Sequence, residues 1–169
     1  MAYYFKKNYE TTKNKTMETL NEKSIKVLND LIEINNDRIE GYERAIKETE
    51  DHELETIFTS NAAVSRQFRS ELISQVIQNG GTPTEGTTLS GKVYRGWMDI
   101  KSTVTGNYNH AILSSCEYGE DAALDVYEEA LQSDDLTTKA REIVLQQQSG
   151  IEKAHNHIRA LRDSAKVNK

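Results

Sequence analysis

The chain has 169 residues, of which 36% are hydrophobic and 28% charged, with a single cysteine and a formal net charge of −6. That length suffices for one domain with its own core, and a lone cysteine excludes an internal disulfide framework. The acidic balance argues against nucleic acid and anionic membrane as principal partners. No run approaches the roughly 20 apolar residues of a membrane span, and the polar N-terminal stretch has no apolar core of a signal peptide, so a cytoplasmic location is expected.

Residues 1–20 show no hydrophobic period and are expected to form a flexible N-terminal segment, even with Tyr3, Tyr4 and Phe5 near its start. A bundle is expected over 21–166. Its first helix is predicted to start near Asn21 or Glu22, because Ile25, Leu28, Ile32, Asn35, Ile39, Tyr42 and Ile46 recur every three or four residues. A second helix is predicted from Asp51, with Glu53 and Glu55 at the positive end of its dipole. Gly80, Gly81 and Pro83 end it. The long connection that follows carries Val93, Tyr94, Trp97, Ile100 and Val104 at helical spacing, which predicts a short helix packed on the bundle through Trp97.

The third helix is predicted from about Asn109 to Leu131, on a stripe of Ile112/Leu113, Cys116, Glu120, Ala123/Leu124, Tyr127 and Leu131. Asp134 and Asp135 are expected to cap the fourth, whose stripe is Leu136, Ala140, Ile143, Gln147, Ile151, Ala154, Ile158 and Leu161. Two tight turns and one long crossover then predict an all-α, antiparallel four-helix bundle whose second and third helices run parallel, the connectivity of ferritin-like folds.

The halves of the chain resemble each other. An offset of 85 residues places Asn35 on Glu120, Tyr42 on Tyr127 and Ala45 on Ala130. An offset of 86 places Ser65 on Ile151, Phe68 on Ala154 and Leu72 on Ile158. Near-equal offsets in both helix pairs point to a duplicated two-helix hairpin.

The stretches LNDLIEINNDRIEGYERA, GGTPTEGTTLSGKVYRGWMDIK, CEYGEDAALDVYEEAL and HNHIRALRD resemble bacterial ferritin-like four-helix-bundle proteins classed as a domain of unknown function, over about residues 22–165. The resemblance implies the fold and no particular activity, since fold alone does not choose among di-iron oxidases, iron stores and metal-free relatives.

A di-metal site in such a bundle takes a Glu from each of two helices and a Glu-x-x-His from each of the other two. The fourth helix has Glu152-x-x-His155, and the third offers Glu117 and Glu120. The second helix fails, because the repeat places Arg66 and Arg69 where Glu152 and His155 stand. The first offers Asn35. Counted from the turn at 1.5 Å per residue, Glu120 and Glu152 differ in height by roughly 9 Å, which weakens the site further. The expected metal ligands are therefore Glu117, Glu120, Glu152 and His155 at most. Glu120, on a core stripe, needs a partner; Arg66 and Arg69 are the expected ones, with Asn35, Tyr42 and Tyr127 as interior polar groups.

No phosphate-binding glycine loop, nucleophile elbow or Cys-x-x-Cys occurs. The preferred reading is a non-catalytic, stress-associated structural or interaction protein, not an enzyme, with no cofactor and a homodimeric assembly. The second is a metal-binding ferritin-like oxidoreductase or metal-handling protein using iron, manganese or zinc.

Overall fold

The structure is a computed structural model that describes residues 2–87 and 108–167, with side chains over 12–87 and 108–165. The described residues form four helices and no strand: α1 (Ala2–Glu48), α2 (His52–Gln78), α3 (Tyr108–Gln132) and α4 (Thr138–Val167). The short helix expected around Trp97 lies outside the described residues.

The first helix does not start near Asn21. It runs unbroken from Ala2, because no Gly or Pro interrupts the chain before Gly41. The backbone carbonyls of Thr12 and Lys15 accept bonds from the hydroxyls of Thr16 and Thr19 one turn on, at 2.9 and 3.0 Å. Residues 12–19 are exposed, so this stretch adds helix without adding core, which is why no hydrophobic period announced it.

Helix α2 begins at the expected place, and Asp51 is its cap: its carboxylate accepts from the amides of Glu53 at 2.9 Å and Leu54 at 3.2 Å. At the other end the Gly81 amide reaches back to Val76 and the Gly80 amide to Ile77, with Gly80 at φ 84°. That paired closure needs a left-handed residue, which glycine supplies without strain. The cap of α4 is Thr137, not Asp134 or Asp135: its carbonyl accepts the first helical bond, from Arg141, and its hydroxyl lies 3.4 Å from the Ala140 amide.

Helices α1–α2 and α3–α4 form two hairpins packed on each other. At one end Lys23 pairs with Asp135 at 2.9 Å and the Ser24 hydroxyl meets the Thr137 amide at 3.4 Å. At the other end Asn109 donates to Asp51 at 3.2 Å. Helix α1 is therefore antiparallel to α3, and α2 and α3 start at the same end. Beyond α2, Thr82, Thr84 and Gly86 lie along α1, where Asn29, Glu33 and Asn36 bond them at 2.6–3.2 Å. With neighbours on several sides, α1 is buried around its whole circumference between Leu31 and Ile39, apart from half-buried Glu33. No helix among the described residues is long and apolar enough to cross a membrane.

Two apolar clusters fill the interior. One gathers Leu28, Leu31, Ile32, Leu72, Val144 and Ile151; the other gathers Phe58, Ile112, Leu113, Cys116 and Ile158. Polar side chains occupy the level between them.

Candidate functional site

At that middle level Glu120 on α3 is completely buried. Its partner is Arg38 on α1, whose Nη2 donates to both carboxylate oxygens at 2.9 and 3.0 Å. The Tyr42 hydroxyl donates to the same carboxylate in a short hydrogen bond, and Asn61 of α2 donates to the Tyr42 oxygen at 3.1 Å. Charge-assisted bonds of this kind are the strong ones. They are needed here, because an unpaired buried carboxylate costs several kcal/mol or neutralises.

The network continues toward the other end of the bundle. Asn35 donates to the Tyr127 oxygen at 2.7 Å and to the Leu31 carbonyl at 2.8 Å. Tyr127 donates to Gln147 of α4 at 2.7 Å, and Gln147 donates to Glu71 of α2 at 2.8 Å and to the Phe68 carbonyl at 3.2 Å. All four helices are thus tied through one set of buried polar groups.

Electrostatics follow the burial. Burial, then the Glu120 charge, pushes the Tyr42 phenol well above its usual pKa. Burial also raises Tyr127, against a lowering by the Asn35 bond. For Arg38, burial is the largest influence and opposes the charge, but Glu120 and Tyr42 more than offset it and the net shift is upward. Cys116, one turn before Glu120, is pushed well above the ordinary thiol range by burial and by that carboxylate. Burial thus holds both phenols and the thiol in their neutral forms, and Glu120 and Tyr42 hold Arg38 in its charged form, while the Arg38 Nε is left without a hydrogen-bond partner among the described residues.

Asn35, Tyr42, Tyr127 and Glu120 therefore lie together inside the bundle. The expected arginine partners do not. Arg66 reaches Glu43 at 2.5 Å on the surface, both side chains 45% exposed, and Arg69 donates to Asn36 at 3.1 Å. Arg38 holds Glu120 instead. It falls off the apolar stripe of α1, and the stripe describes one face of a helix that is in fact buried nearly all round. The only sequence trace was the polar run Asn36-Asp37-Arg38 inside an otherwise apolar segment.

The four expected metal ligands also separate. Glu120 is engaged by Arg38, and Glu152 is exposed on the outer face of α4. Glu117 and His155 do come together, joined by Asp121, one helical turn beyond Glu117. One donor atom from each lies within 4.8 Å of the others. The Nε2 of His155 is 2.9 Å from Asp121 and 4.0 Å from Glu117, and Arg162 bonds the other oxygen of Glu117. Asp121 was missed because it lies off the α3 stripe; its spacing of four from Glu117 was the available signal.

The fold and site define a helical bundle with a buried ionic layer. Residues 23–133, well over half of the chain, match the family model described as Domain of unknown function (DUF2383), and the chain belongs to that family. No curated protein matches it.

Proposed function

We propose that the protein is a non-catalytic bundle of the ferritin-like class, acting as a structural or interaction protein. One observation carries this: the interior carboxylate Glu120 is neutralised by Arg38, whose Nη2 donates to both of its oxygens, a cation the chain itself supplies. A di-metal centre serves inward carboxylates in the same way, so the arginine takes over that electrostatic role. With Arg38 on Glu120, Asn35 in place of a carboxylate, and Arg66 and Arg69 in place of a Glu-x-x-His, the residues do not fit a two-metal centre. The ferritin-like reading is supported by the common direction of α2 and α3, which asks for a connection running the length of the bundle. A two-fold homodimer is the assembly proposed with it.

The test is oxygen consumption by the chelator-treated protein given iron(II). The expected rate is that of protein-free buffer, and any protein-dependent acceleration overturns the reading. For the assembly, light scattering that returns 19.2 kDa, the mass of one chain, rejects the dimer. Among the described residues, a metal-handling oxidoreductase, the second reading, is supported by the Glu117–Asp121–His155 cluster, which offers donors for one ion.

A further inference from the structure

We propose that Glu117 and Asp121 of α3 and His155 of α4 bind one divalent cation of the zinc class, linking the two helices of the second hairpin. The site is separate from the interior pair and does not rest on the reading of Glu120.

The spacing fits. Ligands about 2.0–2.1 Å from a tetrahedral zinc stand about 3.3 Å apart. The distances from His155 Nε2, 2.9 Å to Asp121 and 4.0 Å to Glu117, bracket that value, and all three donor atoms lie within 4.8 Å of one another, so small side-chain rotations bring them to it.

The groups behind the ligands are arranged for it. The other ring nitrogen of His155, Nδ1, lies 3.3 Å from the Asn156 side-chain oxygen. Without an ion the Nε2–H donates to Asp121 at 2.9 Å; an ion replaces that proton, and the tautomer protonated on Nδ1, with the Asn156 oxygen as acceptor, frees Nε2 to ligate. Arg162 takes one oxygen of Glu117, Oε2, and leaves Oε1 toward His155. Arg162 is itself shared with Asp163 at 2.8 Å. With a neutral imidazole, Glu117, Asp121 and Asp163 against Arg162 leave two negative charges, which a dication balances.

Access and selectivity follow. The side chains of Glu117 and His155 are 10% and 14% exposed, whereas Asp121 is 58% exposed. Two ligands are pre-positioned and the third faces water, leaving room for a solvent ligand in the fourth position. An imidazole donor favours zinc and its transition-metal neighbours over magnesium and calcium, which take oxygen ligands. The role is structural: the ion ties α4 to α3 and stabilises the hairpin by binding only its folded form.

The experiment is titration of the full-length, chelator-stripped protein with zinc chloride, read by calorimetry and by the melting temperature. One equivalent bound and a higher melting temperature are expected. His155→Gln and Asp121→Asn, each checked for helix content, should each weaken zinc binding at least about 10-fold, since even outer-shell changes cost 10–100-fold. His52→Gln, at an exposed histidine beside Glu55, should leave it unchanged, and magnesium should not compete. Absence of zinc uptake, or uptake that survives both ligand substitutions, overturns the proposal. The iron(II) oxidation assay is unaffected by either result, so failure here is distinguishable from failure of the non-catalytic reading.

Discussion

Tyr42 and Tyr127 occupy equivalent places in the two hairpins, yet their surroundings differ in kind. Each phenol meets one group from the facing hairpin and one amide from the other helix of its own hairpin. Tyr42 has Glu120 and Asn61; Tyr127 has Asn35 and Gln147. The offset of 85 residues maps Tyr42 on Tyr127 and Asn35 on Glu120, and the offset of 86 maps Asn61 on Gln147. The contacts repeat under the same relation, as a two-fold axis between α1 and α3 requires. What does not repeat is charge. Arg38 maps on Ala123, so one phenol bonds a member of an ion pair and the other bonds two neutral amides. The same backbone frame thus accepts either, with both phenols and the buried carboxylate hydrogen-bonded.

Substitutions can break this comparison or sharpen it. The largest effect is expected from Arg38→Ala, which strands a buried carboxylate and should cost about 3–5 kcal/mol in urea unfolding. Adding Glu120→Gln should recover part of that loss; a double variant no more stable than the single would show that Arg38 acts by packing alone. Replacing both with apolar residues of similar volume should be nearly neutral, because desolvating the pair offsets much of its attraction, and the Arg38 Nε has no partner. Next comes Tyr42→Phe, which removes a bond to a charged group, expected to cost about 1.5–3 kcal/mol. The matched change Tyr127→Phe removes bonds between neutral groups and should cost about 1 kcal/mol. Equal losses for the two tyrosines would erase the distinction between the clusters. Smallest is Arg66→Ala, at an exposed pair with Glu43, where under about 1 kcal/mol is expected. A loss as large as that of Arg38→Ala would restore Arg66 as the interior cation.

Four helices, the start of α2 at Asp51 and the Gly80–Gly81 closure were legible because each depends on local chemistry. So was the core placement of Asn35, Tyr42, Glu120 and Tyr127, which sit on their stripes. Arg38 was not, because a stripe reports one face and cannot reveal a helix enclosed by several neighbours. The early start of α1 escaped for the opposite reason, since residues 12–19 touch no core and leave no period. In the Glu117–Asp121–His155 cluster, His155 was read from the Glu-x-x-His spacing and Glu117 from its place beside the α3 stripe. Glu152, three residues from His155 on α4, is exposed, while Asp121 across the helix pair is the residue that meets the imidazole; spacing within one helix does not say which face the next helix covers.

The unequal charge also decides which hairpin recognises which. Two hairpins that repeat the same tyrosine contacts could also pair like with like between chains. An α1–α2 hairpin facing its own copy would bury two arginines with no carboxylate opposite, and an α3–α4 hairpin facing its copy would bury two glutamates with no guanidinium. Either mismatch leaves uncompensated buried charges, each costing several kcal/mol. Only the mixed pairing, first hairpin with second, cancels them. The Arg38–Glu120 contact therefore favours the pairing of the first hairpin with the second over the pairing of either with its own copy.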